Sequence, residues 1–299
     1  MGAPIEVFSD MSERLYYNLP DFPLYIYKDK LIRYGYAAAC HWHPDLEFIL
    51  VLEGEMDFFV NGNTEYLCAG NGIFVNSKRL HYGFSTDKTD CTFIVVVIHP
   101  SLLYENSQTV KVYLEEKFGT AADDFILLDS RIGWQQNVLL LLSKIYEEMK
   151  GDIRNPLHLL AQAVFLCASM GDHIQQTAGG GTDTQWKTVI WNMTGFIHRN
   201  YDEKISVDDI AASGMVCRSK CCELFHEYVG QTPNTYLMNY RIIKSCELLR
   251  ETKRTISEIA ASCGFQSAGY FSRVFRKETG LTPRDFRRKI IASLTVTPD

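Results

Sequence analysis

The stretch SEIAASCGFQSAGYFSRVFRKETGLTPRDFRR, residues 257–288, belongs to the second copy, residues 255–288, of a unit that the chain contains twice. The first copy runs from Ile205 to Arg241 and contains DDIAASGMVCRSKCCELFHEYVGQTPNTYLMNYR. The residues that recur 49 or 50 positions later are Ile210, Ala211, Ala212, Gly214, Phe225, Gly230 and Pro233. An internal repeat of this length indicates two related supersecondary units.

Each copy has the local signals of a helix, a tight turn and a second helix. In the second copy, Thr255 and Glu258 have the spacing of a capping box, which opens a helix. Gly264 follows that helix, where a left-handed turn residue is expected, and an amphipathic stretch with Phe271 and Phe275 comes next. Two short helices joined by a glycine turn predict a helix-turn-helix unit, whose second helix enters the major groove of DNA.

Residues 205–290 resemble the paired helix-turn-helix domain of AraC/XylS-type transcription regulators. The residues of the second copy that match the family signature are Gly264, Phe265, Tyr270, Phe271, Ser272, Arg273, Phe275, Arg276, Lys277, Gly280 and Pro283. The resemblance implies a sequence-specific DNA-binding regulator, and not an enzyme, with a cupin-like domain that binds an effector. It also implies that double-stranded DNA, a small-molecule effector and RNA polymerase are partners, and we expect an activator.

Charge is distributed unevenly along the chain. Residues 184–299 contain 17 Lys and Arg against 12 Asp and Glu, whereas residues 1–183 contain 13 against 24, within a net charge of −6. A basic and an acidic half are typical of a DNA-binding module joined to a separate sensing module.

Composition and targeting signals favour a cytoplasmic protein without a membrane partner. No apolar run approaches the roughly 18 residues that a membrane span needs, and the first residues, MGAPIEVFSD, lack the features of a signal peptide. Nine Cys, an odd number without paired metal-site spacing, indicate reduced thiols.

The first half of the chain predicts short strands, and the second half predicts helices. Apolar runs at 48–52, 56–60, 72–75 and 91–98 are separated by turn clusters, as in a small barrel. We therefore expect a multidomain α and β protein: an N-terminal cupin-like β-barrel with two or three flanking helices, and a C-terminal all-α domain. In the latter, a long helix at about Pro233–Glu251 joins two helix-turn-helix units.

Two apolar-rich helices are predicted after the barrel, at 131–151 and 155–174. Their apolar stripes either pack on the barrel or form a dimer seam, and we favour a homodimer because such surface needs a partner. The glycine-rich segment 176–184 is expected to be a flexible linker. It divides the chain into an effector-binding and dimerisation domain, 1–175, and a DNA-binding domain, 185–299.

A cluster of polar residues is predicted inside the barrel. Gly35 to Gly54 has the spacing of the first cupin motif, and a second motif begins at Gly70, with Asn76 where a proline is usual. The polar residues of the two motifs are His41, His43, Glu47 and His81. Positions 41, 43 and 47 share parity, so in an extended strand all three side chains face the interior.

Three interpretations of this cluster are open. We favour an effector pocket, in which these side chains and Trp42 orient a small molecule such as a sugar, with no cofactor. Three His and one Glu are also a ligand set for Zn, Fe, Mn or Ni, so a metal-dependent cupin enzyme or metal sensor is the alternative. In the third interpretation the imidazoles are only hydrogen-bonded.

The second helix of each repeat supplies the candidate DNA contacts. Arg273 is the best candidate for a base contact, because a guanidinium can pair bidentately with guanine. Glu223 stands where the family commonly has a basic or amide residue. The residues expected to face the groove are Arg218, Ser219, Lys220, Cys222 and Glu223, and Gln266, Ser267, Ala268, Gly269, Ser272 and Arg273. The expected phosphate anchors are Arg276, Lys277, Arg284, Arg287 and Arg288. Tyr270, Phe271, Val274 and Phe275 are assigned mostly to the core.

Overall fold

The structure is a computed structural model that describes residues 6–8, 11–104, 107–119, 121–151, 155–176 and 184–295. Most of the predicted linker, residues 177–183, lies outside this described part.

In the N-terminal half, the described residues form ten strands and a 3-10 helix, followed by helices that flank them. The strands are β1 (Glu6–Val7), β2 (Glu13–Arg14), β3 (Leu24–Lys30), β4 (Leu46–Glu53), β5 (Glu55–Val60), β6 (Asn63–Cys68), β7 (Gly72–Val75), β8 (His81–Phe84), β9 (Thr92–Ile98) and β10 (Phe125–Leu128). The 3-10 helix is Leu31–Tyr34, and the flanking helices are α1 (Ser101–Tyr104), α2 (Gln108–Lys117), α3 (Gly133–Lys150) and α4 (Pro156–His173).

Two antiparallel sheets form the barrel, as the strand pattern predicts. One has the order β10-β7-β4-β9-β3 and the other the order β6-β5-β8. Alternation along β4 separates two cores, since side chains of a strand point to opposite faces in turn. Phe48 and Leu50 lie in a cluster with α3 and α4, whereas Ile49 and Val51 lie in a cluster with β5, inside the barrel. The two helices therefore cover the outer face of the larger sheet.

The C-terminal half is all helical. Its helices are α5 (Thr184–Asn200), α6 (Val207–Ser213), α7 (Arg218–Val229), α8 (Pro233–Glu251), α9 (Ile256–Ser262), α10 (Ala268–Thr279) and α11 (Pro283–Thr295). Capping boxes open α6 at Ser206 and α9 at Thr255, and left-handed glycines end α7 at Gly230 and α10 at Gly280. The predicted repeat is confirmed as two helix-turn-helix units, α6–α7 and α9–α10, joined by the 19-residue α8.

The barrel packs directly on the first helix-turn-helix unit. Phe59 and Tyr82 of the barrel share one hydrophobic cluster with Phe225 and Tyr236 of α7 and α8. Gly230 fits against Phe59 because it lacks a side chain: a Cβ there would meet the ring at 2.8 Å. The Tyr82 hydroxyl also donates to the carbonyl oxygen of Val229, at 3.3 Å. The two halves of the chain are thus in van der Waals and hydrogen-bond contact.

Candidate DNA interface and barrel site

The first recognition helix, α7, turns its apolar residues inward as predicted. Cys221, Leu224 and Phe225 are fully buried. The residues predicted to face the groove are on the opposite side: Arg218, Ser219, Cys222 and Glu223 are exposed, and Lys220 is half-buried.

The positive charges of α7 are already paired within the protein. Arg218 Nη1 lies 3.0 Å from Asp208 Oδ2, and Lys220 Nζ lies 2.6 Å from Glu223 Oε1. The Lys220 ammonium also lies 4.5 Å from the ring centroid of Trp186. Phosphate contacts by these two cations must replace intramolecular partners, a small cost for pairs at the surface, so the first unit offers DNA less unpaired charge than the second.

The second recognition helix, α10, presents less side-chain bulk and more free charge. Ser267 caps its N-terminus by accepting from the backbone N–H of Tyr270. Gln266, Ser267 and Gly269 are exposed, whereas Ala268 and Ser272 are half-buried. Exposed Arg273 makes no ion pair with any described residue, and its guanidinium lies 5.5 Å from the ring centroid of Tyr270.

The assignment of Tyr270 to the core is wrong. Its side chain is 41% exposed, while Phe271 and Phe275 are fully buried. Helix geometry explains the difference, because residues 271 and 275 are four positions apart and share one face, from which residue 270 is turned away. Tyr270 instead supports Arg273 at the surface.

One of the five predicted phosphate anchors has a structural role. Arg287 donates from Nη2 to the carbonyl oxygen of Arg254 at 2.7 Å and from Nε to that of Leu249 at 3.3 Å, so it closes the end of α8. Arg276 and Arg284 are exposed and unpaired within the described residues. Lys277 pairs with Glu278, and Arg288 with Asp285, at the surface.

Four side chains converge inside the barrel. His41 and His81 lie on adjacent segments that exchange backbone hydrogen bonds, and Glu47 lies on β4. One donor atom from each of His41, His43, Glu47 and His81 lies within 4.8 Å of the others, and all four residues are buried. The predicted convergence of residues from two motifs is therefore present.

Hydrogen bonds fix the orientation of the imidazoles. Nδ1 of His41 donates to the carbonyl oxygen of Ala39 and Nδ1 of His81 to that of Arg79, both at 2.8 Å. A ring nitrogen beside a carbonyl oxygen must carry a proton, so in the neutral form of each ring Nε2 is an acceptor turned toward the cluster. Metal-ligating histidines are commonly held by such outer hydrogen bonds.

Burial and the charges of neighbouring groups shift the pKa values of the residues in this cluster in different directions. Burial, followed by the neighbouring His81, lowers the pKa of His41 to about 3. Burial also acts to lower the pKa of His43, but the 2.7 Å hydrogen bond and the charge of Glu47 raise it to about 9. Burial opposes ionisation of Glu47, yet His81 and His43 hold its pKa well below the ordinary value. The ion-free cluster contains a His43–Glu47 ion pair.

Glu13, on β2, is a further carboxylate at this site. Its Oε2 lies 3.3 Å from His41 Nε2, the side chain is 8% exposed, and burial raises its pKa to about 8. Sequence reasoning missed it because a two-residue strand has no periodicity, and a Glu beside Ser12 and Arg14 resembles an ordinary surface position.

The cluster fits a divalent metal ion. Three imidazoles and a carboxylate are a common donor set for Zn, Fe, Mn and Ni. In their neutral forms His41 and His81 turn acceptor nitrogens inward, and His81 Nε2 lies 3.3 Å from Glu47 Oε2. Two acceptors at that distance are reconciled by a proton or by a cation between them.

The open space beside the cluster is small. It measures about 30 Å³ and is walled mainly by apolar residues, among them Ile49, Phe58 and Val95. A cavity needs about 10–15 Å³ of such space to hold one water molecule, so an ion or water fits but a sugar requires the barrel to open.

The prediction that Trp42 lines the pocket is wrong. Trp42 lies between His41 and His43 and therefore points to the opposite side, where it stacks on Trp191 of α5 with ring centroids 5.7 Å apart. It belongs to the contact between the two halves of the chain.

Fold and sites together define a DNA-binding protein in which two helix-turn-helix units are attached to a ligand- or ion-binding barrel. Residues 210–289 match the family model of a helix-turn-helix domain, and residues 32–97 match that of a cupin domain. The chain is an AraC-type transcriptional regulator with a cupin domain, and it binds DNA through the helix-turn-helix domain.

Relatives agree with this assignment. The chain is 27% identical over 256 residues to the uncharacterized HTH-type transcriptional regulator YdeC of Bacillus subtilis, covering 85% of this chain and 87% of the relative. It is 28% identical over 253 residues to the HTH-type transcriptional activator RhaR of Cronobacter sakazakii, covering 84% and 87%. These relatives are named as regulators and not as enzymes.

A solved AraC-type regulator from Chromobacterium violaceum is 31% identical to this chain, with a TM-score of 0.34. The match covers 35% of this chain and 93% of the solved chain.

None of the helices in the described ranges combines the length and apolar character needed to cross a membrane.

Proposed function

We propose that this regulator is an effector-responsive activator of transcription. The relative named as an activator, which aligns over most of both chains, supports the direction of regulation. The contact between the barrel and α7 supports a response to an effector. A ligand that binds one arrangement of the two halves more tightly than another shifts the population toward that arrangement, and DNA affinity changes with it. An activator of this kind works in the cytoplasm and contacts RNA polymerase at the promoter.

We assign sequence-specific DNA contacts mainly to the second helix-turn-helix unit. Arg273 and Arg276 are exposed and unpaired among the described residues, whereas Arg218 and Lys220 of the first unit are neutralised by acidic partners. The proposed groove-facing residues are Arg218, Ser219, Lys220, Cys222, Glu223, Gln266, Ser267, Ala268, Gly269, Ser272 and Arg273, with Arg276 and Lys277 on phosphates.

For the effector, the observation with most weight is the buried cluster itself. Four donor atoms within 4.8 Å of one another, beside a space of about 30 Å³, favour a divalent metal ion as the regulatory ligand. His41, His43, Glu47 and His81 would hold the ion, which would cross-link separate segments of the barrel. A small molecule such as a sugar at the same residues is the second candidate, and it requires a more open barrel.

Metal analysis of the full-length protein distinguishes the two candidates. We expect about one equivalent of a transition metal after purification without chelator, and loss of that metal in His81→Ala. His99→Ala is the matched control, because His99 is a half-buried histidine that bonds Ser101 outside the cluster. A metal-free protein that is stabilised by a sugar, with stabilisation lost in His81→Ala, would favour the sugar instead.

We further propose that the regulator is a homodimer, formed through a groove between α3 and α4. Leu140 and Phe165 line the groove and are 62% and 51% exposed. Gln162 at its base is 6% exposed, and its Oε1 has no hydrogen-bond partner among the described residues. A second copy would cover the apolar side chains and bring a donor to that oxygen. The division into 1–175 and 185–299 with a linker at 176–184 is part of the same proposal.

A further inference from the structure

A second cavity lies between the barrel and the second helix-turn-helix unit. It measures about 250 Å³, close to the lower end of the roughly 300–1,000 Å³ range of small-molecule sites. One wall is formed by the barrel, through residues 34–37 and the loop after β8. The other wall is formed by Asn239 and Ile242 of α8 and by Glu278 of α10. Pockets between domains are frequent ligand sites.

The barrel wall of this interdomain cleft is held in an unusual backbone conformation. Tyr36 and Lys88 have φ angles of 68° and 57°. Left-handed backbone is rare for residues other than glycine and concentrates at functional sites such as ligand clamps. Ser85 N–H donates to the carbonyl oxygen of Tyr36, so the two segments that contain the strained residues are joined.

Polar groups that lack protein partners face the cleft. Within the described residues, neither the Lys88 ammonium nor the Tyr36 hydroxyl makes a hydrogen bond or ion pair. Asp87, next to Lys88, does not line the cleft. Asn239 Nδ2 donates to Gln231 Oε1 at 2.8 Å, and the side-chain carbonyl oxygen of Asn239 remains as an acceptor.

The wall formed by α8 and α10 carries a negative charge, opposite to that of Lys88. Glu278 lies at the end of α10, and its only ion pair among the described residues is with Lys277, which is 81% exposed, at 3.4 Å. Such surface pairs contribute little free energy, so the Glu278 carboxylate is available to a ligand. Phe84 and Ile242 contribute apolar surface to the lining of the same cleft.

We propose that this interdomain cleft binds a small zwitterion of the free amino acid class. Lys88 pairs with the ligand carboxylate, Glu278 and the Asn239 carbonyl oxygen accept from the ligand ammonium, and the ligand side chain packs on Phe84 and Ile242. A ligand with both charges satisfies both walls, whereas a simple anion would face Glu278 and a simple cation would face Lys88. This site is separate from the barrel cluster and does not depend on what the barrel binds.

A ligand in the cleft is linked to DNA binding through α10. Gly35, on the barrel wall, already lies against α8 and the end of α10, since a Cβ there would meet Thr279 Cγ2 at 3.1 Å. A bound amino acid adds a second connection between the barrel and α10. Because linkage is reciprocal, operator DNA and the amino acid alter each other's affinity by the same factor.

The test uses the full-length protein and the twenty standard L-amino acids as probes, measured by thermal shift and then by titration calorimetry. At least one amino acid should stabilise the protein. Its methyl ester, which lacks the anion, and its N-acetyl derivative, which lacks the cation, should each bind about tenfold more weakly or worse. These analogues test both charge contacts without altering the protein.

Variants then locate the site. Lys88→Ala and Glu278→Gln should each weaken binding about tenfold or more. Lys78→Ala is the matched control, because Lys78 is exposed and has a φ of 59° but lies outside the cleft. The proposal is overturned if no amino acid binds, if Lys88→Ala and Glu278→Gln bind normally, or if His81→Ala abolishes binding, which would locate the ligand in the barrel.

Discussion

Trp42 of the barrel stacks on Trp191 of α5, with ring centroids 5.7 Å apart. Because Trp42 lies between His41 and His43, we expect a displacement of either histidine to move the Trp42 ring against the first helix of the DNA-binding half. Tyr82 repeats this arrangement: its neighbour His81 points into the barrel, while its own hydroxyl donates to Val229 of α7. Alternation along extended segments thus links the barrel cluster to the helix-turn-helix domain.

Trp42→Ala should weaken the contact between the two halves. Loss of a large aromatic side chain and its ring contact is expected to cost about 2 kcal/mol, since Trp42 is only half-buried. We expect faster proteolytic separation of the halves and a lower midpoint in urea. Trp134→Ala is the control, because Trp134 stacks on His173 away from this contact. Equal cleavage of the two variants would refute the role given to Trp42.

Arg273→Ala should weaken operator binding by about 1–3 kcal/mol and relax the preference at one base pair. Its guanidinium is exposed and makes no ion pair with a described residue, so no internal ion pair has to break before it binds DNA. Arg218→Ala should cost less, because Arg218 must first leave Asp208. Fluorescence anisotropy with single-base operator variants measures both. A larger loss for Arg218→Ala would reverse the proposed order of the two units.

Arg287→Ala and Arg276→Ala should separate stability from DNA affinity. Arg287 bonds two carbonyl oxygens near the end of α8, so its loss should lower the free energy of unfolding by about 1–2 kcal/mol. Arg276→Ala should leave stability unchanged and reduce the slope of log affinity against log salt by about 1. If Arg287→Ala also changes the slope, Arg287 contacts a phosphate after all.

Regular features of the fold were predictable from the sequence, and long-range contacts were not. The repeat at Gly214 and Gly264 and the parity of His41 and His43 are local patterns, and both led to the observed structure. The same parity rule, applied to Trp42, would have excluded it from the pocket. Glu13, in contrast, reaches the cluster through a short strand, and the carbonyl partners of Arg287 lie more than thirty residues away. Nothing in the local sequence encodes such contacts.

The metal-free barrel should lose stability as pH rises from about 6.5 to about 9. The pKa of His43 is raised to about 9 in the fold, so its stabilising charge is present below the unfolded pKa and is lost through this window. Glu13 acts in the same direction, because its pKa is about 8 in the fold and 4.5 in the unfolded chain, so only the unfolded chain is ionised at pH 6.5. Urea unfolding with chelator at pH 6.5 and 9 measures the loss.

His43→Gln should reduce that pH dependence. Lys78→Gln, which removes an exposed charge from the residue whose backbone N–H donates to the His43 carbonyl oxygen, should not. A bound metal should reverse the trend, since ligands must lose protons to bind it and affinity rises with pH. An unchanged pH profile in His43→Gln would show that the His43–Glu47 ion pair does not control barrel stability.

Phe165→Glu should convert the proposed homodimer to a monomer. Phe165 is 51% exposed beside Leu140, and in a dimer the new carboxylate would be buried between apolar surfaces. We expect the dissociation constant of the dimer to rise by about 30-fold or more, equivalent to about 2 kcal/mol. Sedimentation velocity over a concentration series measures this.

Leu127→Glu is the control, because Leu127 is 40% exposed on β10, outside the groove. A wild-type protein that is monomeric throughout would refute the homodimer, and a dimer that persists in Phe165→Glu but not in Leu127→Glu would place the contact elsewhere. Loss of dimerisation in Phe165→Glu alone would leave each monomer with one pair of helix-turn-helix units, and its operator footprint should shorten accordingly.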